Sequence, residues 1–429
     1  MAIEMAPISD AGACGCDDAG AAPRQILTPL ADAVSQLRRH AVCRVGEVQV
    51  GLEQADGAVL AAPAYARIPL PLWDNSAMDG YALRAADLAG KESLPLAGHV
   101  MAGDPPGVLP RGHCLRIFTG APLPLGADTV IMQEKVSFSE NGQVCFPKPV
   151  ATGSHIRRIG EDVSVGSLLL PAGVRLGPEA LALLAGQGIA HVTVRQKLRV
   201  AVLCSGDELT EVGRPLRPGA IYNSNAVLLR AALKRLGMIV VQPPQCAAVP
   251  DQRQATLQRL RTAAEQADVV ITTGGVSVGE ADHVHAVLAE AGQLHLAGIA
   301  IKPGKPFCFG ELSGVPVLGL PGNPVAAMLT LDLLARPFLA GCQGRRLPDL
   351  QRFPLRAGFG NRDAISRDEY LRVRMAWDEE GPVALSAGLQ SSAALHSAAL
   401  AGGYLRVPGG QALQQGVTYD FLPTQQFRQ

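Results

Sequence analysis

The chain lacks net charge, because its 38 lysine and arginine residues are balanced by 38 aspartate and glutamate residues. Such a balance produces no general field that attracts nucleic acid or an anionic membrane, so any anion-binding site must be local. The sequence also lacks a basic and then apolar N-terminal leader, and it has no uninterrupted run of about 18 apolar residues. We therefore expect a cytoplasmic protein with no nucleic-acid or membrane partner.

Closely paired cysteines are also scarce. The nine cysteines lie mostly in apolar or strand-like surroundings, which favours reduced thiols over a disulfide scaffold. Cys14 and Cys16 form a close pair, but no second cysteine or histidine group stands near them in the sequence to complete a tetrahedral metal site. They belong to residues 1–23, a Gly- and Ala-rich stretch that we expect to be a disordered tail.

Length and local pattern divide the remainder into several domains. The 429 residues are enough for about three compact units. Residues 24–70, with a helical run at 48–60, and residues 153–196 predict one discontinuous α+β linker domain. Short β-prone runs separated by glycine and proline predict a β-rich insertion at 71–152. Alternating apolar and polar residues at 346–429 predict a small, β-barrel-like C-terminal domain.

The most regular pattern lies at residues 197–342. Continuous apolar strands alternate there with amphipathic helices, as in LRVAVLC followed by SNAVLLRAALKRLG. This alternation predicts a three-layer α/β/α domain around a parallel sheet. The fold class is therefore multidomain α/β plus β.

Glycines and carboxylates follow two of the predicted strands. One strand runs into Glu208 at the end of SGDE, and the next runs into the glycine-rich residues 272–279, with Asp282 shortly after. Both segments should lie at the carboxyl edge of the sheet, where ligands bind in such folds. Glycines allow backbone N–H groups to approach a phosphate, so we predict a phosphate site that includes Gly274, Gly275, Ser277 and Gly279. The alternative is a tight turn between strand and helix.

Two lysines and a proline-rich turn lie at further strand ends. Lys302 and Lys305 are brought close together by the intervening Pro-Gly, and their mutual repulsion favours an anion between them. The alternative is a pair of solvated lysines. Pro321 and Pro324 flank Asn323, which could cap the following helix. Asp251 and Asp282 are candidate Mg²⁺ ligands, since hard cations prefer oxygen, although either could instead cap a helix.

With these segments in view, the sequence resembles the molybdopterin molybdenumtransferase family, of the bacterial MoeA type and related to the gephyrin E domain. The resemblance covers about residues 24–425 and rests on these ordered motifs: DNSAMDGYA (74–82), RIFTGAPLPLGADTVIMQE (116–134), HIRRIGEDV (155–163), SGDEL (205–209), TTGGVSVGEADH (272–283), IKPGKPFCFG (301–310) and GLPGNPVA (319–326). It implies a molybdopterin-binding type of α/β domain. The implied reaction takes adenylylated molybdopterin and molybdate as substrates and, with Mg²⁺, releases AMP and inserts molybdenum.

The resemblance also implies residue roles. Asp251 and Asp282 would bind Mg²⁺ and support adenylate cleavage, and Glu208 would line the same site. The molybdate pocket would comprise Lys302, Lys305, Pro306, Arg372 and Ser392, although residues 390–397 replace a more glycine- and serine-rich run of the family. The family positions in the β-rich insertion and its flank are matched by Asp79, Thr119 and Asp162.

Family members form homodimers in which the insertion of one subunit faces the α/β domain of the other, so the resemblance implies that Asp79 acts in trans. Molybdopterin adenylyltransferase and molybdoenzyme maturation factors are further candidate partners. Two alternatives stay open from the sequence. One is a non-catalytic molybdopterin-binding scaffold, and the other is a related nucleotide hydrolase or adenylyltransferase.

Overall fold

The computed structural model describes residues 26–241, 252–276, 283–360 and 362–427. Within these ranges the α-helices are α1 (Leu30–His40), α2 (Pro178–Gly186), α3 (Ser224–Arg235), α4 (Arg253–Gln266), α5 (His283–Ala291), α6 (Pro324–Thr330), α7 (Arg336–Cys342) and α8 (Leu395–Leu400).

The strands of the first half are β1 (Glu47–Gly51), β2 (Ala64–Tyr65), β3 (Asn75–Ser76), β4 (Gly80–Leu83), β5 (Ser93–Leu94), β6 (Leu96–Val100), β7 (Cys114–Ile117), β8 (Thr129–Met132), β9 (Ser137–Phe138), β10 (Val144–Cys145), β11 (Ile156–Arg157), β12 (Leu168–Leu170) and β13 (His191–Arg195). Those of the second half are β14 (Arg199–Cys204), β15 (Leu209–Thr210), β16 (Ile221–Tyr222), β17 (Ile239–Val241), β18 (Val269–Thr273), β19 (Gln293–Ala297), β20 (Ile301–Lys302), β21 (Cys308–Leu312), β22 (Val315–Leu320), β23 (Phe353–Ala357), β24 (Asp368–Asp378), β25 (Gly381–Ser386), β26 (Gly403–Val407) and β27 (Thr418–Pro423).

The chain forms two compact units. The larger one, here the α/β unit, comprises Met1–Ala61, Gly173–Leu176 and Val192–Gln429. The smaller one, here the β unit, comprises Ala62–Ala172 and Gly177–His191. The finer division into linker, insertion, α/β and C-terminal domains stays a prediction, and the predicted tail at 1–23 lies outside the described residues.

A six-stranded sheet forms the centre of the α/β unit, in the order β17-β14-β18-β22-β21-β19. The first four strands are parallel, and β21 and β19 join one edge in antiparallel pairing. Alternate residues of β14 pack into two different cores. Val200 and Val202 pack with side chains of α1 and α3 on one face, whereas Ala201 and Leu203 pack with α4 and α5 on the other. The predicted three-layer architecture is confirmed, with two antiparallel strands at one edge.

The predicted helix at 48–60 is wrong. Glu47–Gly51 forms β1, which pairs with β13, and only Leu52–Gln54 makes a short 3₁₀ turn. The alternation in EVQV, with valines at every second position, is a strand pattern, and β-branched side chains favour that conformation. The tertiary pairing with β13 outweighs the weak helical periodicity of the longer segment.

A closed barrel forms the C-terminal part of the α/β unit. Its five strands follow the circular order β24-β25-β23-β27-β26, and β26 returns to pair with β24. Leu355, Val373, Leu405 and Phe421 fill its interior. Closure removes the unpaired edges that invite aggregation, and it confirms the predicted small barrel. The short strand β20 adds to the outside of β24 and brings Lys302 beside Glu369.

One helical stretch, Pro324–Cys342, is long and apolar enough to cross a membrane by length and composition. Within it, the π-helical Leu331–Ala335 joins α6 to α7. However, 78% of its apolar window is buried inside the protein. Leu334, Phe338 and Leu339 belong to the core beneath the sheet. The apolar character of this helix is explained by that packing.

A four-stranded sheet with the order β6-β7-β4-β8 organises the β unit. Its two faces pack into separate small cores: Tyr81 and Leu83 of β4 face one, and Ala82 faces the other. The short pairs β3-β11 and β2-β12 are antiparallel. This unit is mostly β, as its glycine- and proline-punctuated sequence indicates.

Candidate functional site

Three loops meet at the carboxyl edge of the central sheet. They follow the neighbouring strands β14, β18 and β22, and the ends of these strands are tied together by backbone hydrogen bonds. The Ser205 N–H donates to the Thr273 carbonyl at 2.9 Å, and the Gly274 N–H donates to the Leu320 carbonyl at 3.2 Å. The polar segments that the sequence places at strand ends are therefore adjacent. This edge is where open α/β sheets bind their ligands.

The glycines after β18 are required by the protein's own geometry. Gly274 has φ +83°, and a Cβ added there would lie 2.6 Å from the Ser205 carbonyl oxygen. Gly275 has φ +64°, which also favours glycine. Close approach of two loops thus explains Gly274 without a ligand, and phosphate binding by this run stays a prediction. Ser277, Gly279 and Asp282 lie outside the described residues.

Glu208 presents an exposed carboxylate at the same edge. The side chain folds back over Gly206, because a Cβ added to that glycine would lie 2.4 Å from Glu208 Oε2. The Ile221 N–H donates to the Glu208 carbonyl at 2.8 Å and fixes the loop. Exposed carboxylate oxygens at a strand end suit a hard cation such as Mg²⁺. Asp251, its predicted companion, lies outside the described residues.

Lys302 is paired with a carboxylate of the barrel. Its Nζ lies 3.5 Å from Glu369 Oε1, and Arg362 approaches the same oxygen at 3.2 Å. Glu369 is 5% exposed, so this carboxylate is buried between two cations. Repulsion between Lys302 and Lys305 therefore does not by itself require a bound anion. Lys305 and Pro306 are half-buried in the same loop, and the Lys305 carbonyl accepts the N–H groups of Ile299 and Phe307 at 3.0 Å each.

Glu369 offers a test of this charge arrangement. Glu369→Gln should lower the free energy of unfolding by about 1–3 kcal/mol, because two cations lose their buried counter-charge but remain partly exposed. Urea unfolding measures the difference. Glu380→Gln is the matched control, since Glu380 is 76% exposed beside Arg356 and should change stability by less than about 0.5 kcal/mol. Equal effects of the two substitutions would contradict the buried pairing.

Arg372 is a buried residue that organises the segment at 389–397. It is 1% exposed, and its guanidinium donates to Ser397 Oγ at 2.8 Å and to the carbonyls of Leu389 and Ser391 at 2.8 and 3.0 Å. Burial lowers the pKa of Arg372 to about 10, which still leaves it charged at neutral pH. Arg372 thus positions this segment through bonds to its backbone and to Ser397.

Ser392 connects that segment to the turn after β22. Its Oγ accepts a hydrogen bond from Asn323 Nδ2 at 3.0 Å, and its carbonyl accepts the Val325 N–H at 3.1 Å. The prediction that the Asn323 side chain caps α6 is wrong, because it makes no capping bond and donates to Ser392 instead. Pro321 is buried just before this turn, and Pro324 is the first residue of α6. The structure thus brings Ser392, Pro321 and Pro324 together.

A second polar cluster lies in the β unit. Asp79 Oδ1 accepts hydrogen bonds from both the backbone N–H and the hydroxyl of Thr119, each at 2.7 Å. Both bonds lower the pKa of Asp79 below its usual 3.8, and the backbone bond has the larger effect. Pairing of β3 with β11 also joins the 74–82 motif to the 155–163 motif, in which Asp162 is exposed. Three motifs that are far apart in sequence therefore meet within one unit.

Arg116 is a member of this cluster that the sequence reasoning did not single out. Its guanidinium carbon lies 5.0 Å from the ring centres of both Tyr81 and Phe118, and its NH1 donates to the Gly80 carbonyl at 3.2 Å. It also bonds the side chain of Gln133. Its positive charge contributes to the lowered pKa of Asp79. The sequence feature that could have indicated Arg116 is its position as the one charged residue in the otherwise apolar strand CLRI.

Comparisons with known proteins agree with this architecture. The profiles that match are those of the MoeA N-terminal region (domain I and II) at residues 28–188, the probable molybdopterin binding domain at 201–341 and the MoeA C-terminal region (domain IV) at 355–424. The molybdopterin molybdenumtransferase of Haemophilus influenzae is 41% identical over 80% of this chain and 85% of its own length. Molybdopterin molybdenumtransferase 2 of Mycobacterium tuberculosis is 36% identical over 84% and 91%.

A solved structure of the molybdopterin biosynthesis MoeA protein from Pyrococcus horikoshii superimposes with a TM-score of 0.71 at 31% identity, covering 93% of this chain and 99% of that one. The fold and the matching profiles are those of a multidomain transferase built around a molybdopterin-binding type of domain. The chain belongs to the molybdopterin molybdenumtransferase family.

Proposed function

We propose that this protein takes adenylylated molybdopterin and molybdate, cleaves the adenylate with release of AMP and places molybdenum on the pterin dithiolene. Membership of the family supports this reaction. The structural observation that carries it is the hydrogen bond between Asn323 and Ser392. It joins the carboxyl edge of the central sheet to the segment that Arg372 positions, so the proposed adenylate site and the proposed anion site would adjoin.

The oxyanion chemistry fits the donors at this edge. A tetrahedral dianion needs hydrogen-bond donors and positive charge and has no use for acceptors. Lys302, Lys305 and the Ser392 hydroxyl provide those groups, while Arg372 holds Ser392 in place through the 389–397 backbone. Glu369 would offset part of the Lys302 charge.

The carboxylate chemistry fits a hard cation. Asp251 and Asp282 are proposed to hold Mg²⁺, with the exposed carboxylate of Glu208 as the oxygen donor that the structure describes at this edge. When bound, Mg²⁺ would offset negative charge on the phosphates during adenylate cleavage. Glu208 would help to position the ion, because its side chain is folded back over Gly206. Asp79, kept ionised by Thr119, is proposed as a fixed acceptor or negative charge toward the substrate.

The reaction is tested by AMP release from adenylylated molybdopterin. Purified protein with Mg²⁺ should release AMP at a rate that rises with molybdate concentration. A nucleotide hydrolase would release AMP at the same rate without molybdate, and a binding scaffold would retain the adenylate without releasing AMP. Either of those results would contradict the transferase proposal.

We further propose a cytoplasmic homodimer in which Asp79 of one subunit serves the α/β unit of the other. Asp79→Asn and Asp282→Ala proteins should each be nearly inactive alone. After mixing and subunit exchange, random pairing gives one heterodimer in two, with one intact site in each, so activity should return to about a quarter of the wild-type value. Size-exclusion chromatography checks exchange between differently tagged subunits. Exchange without any return of activity would contradict action in trans.

A further inference from the structure

Two histidines and a glutamate converge in the α/β unit, away from the loops described above. His40 ends α1, His295 lies in the edge strand β19, and Glu311 lies in the neighbouring strand β21. His40 Nδ1 and His295 Nε2 each lie 3.9 Å from the same atom, Glu311 Oε1. Among the described residues, this is the group of three such side chains whose ligand atoms all lie within 4.8 Å of one another.

A β-bulge directs His295 toward this cluster. The antiparallel register pairs Leu294 with Gly310 and then Leu296 with Phe309, which leaves His295 as the extra residue between them. Leu294 packs on the α4–α5 side of the sheet, whereas Leu296 packs on the α1 side. His295 therefore lies between residues that pack on opposite faces of the sheet, close to the end of α1. Bulges commonly re-aim a side chain in this way.

The cluster is held by packing as well as by charge. The two imidazole rings stack with centres 4.4 Å apart and an angle of 29° between their planes, and both lie beside the ring of Phe309. Gln36 Nε2 donates to the His295 carbonyl at 2.8 Å, which ties α1 to the bulge. The side chains of His40, His295 and Glu311 are 33%, 20% and 24% exposed. They are ordered by neighbours and remain accessible to small solutes from solvent.

The donor set is that of a borderline transition metal. Two imidazole nitrogens and one carboxylate oxygen recur in protein sites for Zn²⁺, with metal–ligand distances of about 2.0–2.2 Å. At a tetrahedral angle such ligand atoms are about 3.4 Å apart, so the two separations of 3.9 Å would need to close by about half an ångström. Rotation of both rings and of the partly buried Glu311 carboxylate would close these separations. Three protein ligands leave a position for water.

We propose that His40, His295 and Glu311 form a binding site for a divalent transition metal of the Zn²⁺ class, which links the end of α1 to the edge of the central sheet. The site differs in chemistry from the proposed Mg²⁺ site, since Mg²⁺ prefers oxygen ligands and discriminates against two imidazoles. It does not rest on the proposed transferase reaction. Its role is to fasten two elements separated by more than half of the sequence.

The test measures binding of Zn²⁺ alone to the full-length protein. A background with Cys14→Ser and Cys16→Ser removes the cysteine pair of the N-terminal segment as a competing thiolate ligand. Isothermal titration should give about one Zn²⁺ per chain with a micromolar or lower Kd, and excess Mg²⁺ should not compete. His40→Gln and His295→Gln should each weaken binding by at least about tenfold. His191→Gln, at an exposed histidine outside the cluster, is the matched control and should leave the Kd unchanged.

A second readout separates metal binding from a purely structural role of the stacked histidines. Zn²⁺ at about a hundredfold excess over Kd should raise Tm by several degrees in the background protein. The same increment should disappear in His40→Gln and His295→Gln, whatever their Tm without metal. A Zn²⁺ affinity and Tm increment that are unchanged in both variants would overturn the proposal, as would failure of the background protein to bind Zn²⁺.

Discussion

Replacing Arg372 by methionine should lower the free energy of unfolding by about 2–4 kcal/mol. The substitution keeps much of the side-chain volume but removes the donors to the buried Ser397 Oγ and to the part-buried carbonyls of Leu389 and Ser391. Acceptors left without donors in that environment cost more than the average hydrogen bond gains. Chemical denaturation of wild-type and variant proteins measures the loss.

The same substitution should raise the molybdate concentration required for half-maximal turnover by about tenfold or more, because Ser392 loses the support of its segment. Arg374→Met is the matched control, since Arg374 lies two residues further along β24 with an exposed side chain. It should change stability by less than about 0.5 kcal/mol and leave the molybdate requirement unaltered. A normal molybdate requirement in a folded Arg372→Met protein would show that this segment does not serve the anion site.

Asp79→Asn should reduce turnover by about 100-fold or more while leaving the fold intact. Asparagine retains an oxygen that can accept both hydrogen bonds of Thr119, so the substitution removes the charge and little else. Single-turnover AMP release measures the effect. Asp104→Asn is the control, because Asp104 is another exposed aspartate of the β unit that accepts a backbone N–H, from Met101 at 2.7 Å. Equal losses in the two variants would contradict a specific role for the Asp79 charge.

The pKa of Asp79 gives a further check on its contact with Thr119. The backbone N–H of Thr119, then its hydroxyl, lowers the pKa of Asp79 below 3.8 in the folded protein. Any stabilisation by the Asp79 carboxylate is therefore complete at pH values above its pKa in the unfolded protein. It is lost as the pH falls through the lowered pKa of the folded protein. Thr119→Ala keeps the backbone donor, so the Asp79 pKa should rise only part of the way back, as read from carboxyl NMR titration. No change on losing the hydroxyl would contradict its contribution.

Much of the fold could be predicted from the sequence because the relevant signals are local. Strands buried on both faces give continuous apolar runs, as in β14 and β18, and the intervening helices carry one apolar face. The carboxyl ends of parallel strands share one edge, so Ser205 and Gly274 could be expected at the same edge of the sheet. The helix prediction at 48–60 was wrong because the strand that forms there, β1, pairs with β13, which lies more than a hundred residues away.

The contacts that define the polar sites could not be predicted in the same way. Lys302 meets Glu369 only because β20 adds to a barrel strand, and the spacing of Lys302 and Lys305 carries no trace of that partner. Arg372 is assigned to an anion pocket by resemblance, yet its buried donors are directed at the backbone of 389–397. The bulge at His295 is likewise a property of the β19–β21 register. Each depends on contacts between separate segments, which the local residue pattern does not reveal.

Formation of an active molybdenum cofactor tests the proposed transferase reaction. Purified protein, adenylylated molybdopterin, Mg²⁺ and molybdate are incubated, and the product is added to a cofactor-free molybdoenzyme whose activity is then assayed. We expect enzyme activity to appear in proportion to AMP released, and omission of molybdate or use of the Asp79→Asn protein should abolish it. AMP release with no cofactor that activates the acceptor enzyme, at any molybdate concentration, would contradict the proposed reaction.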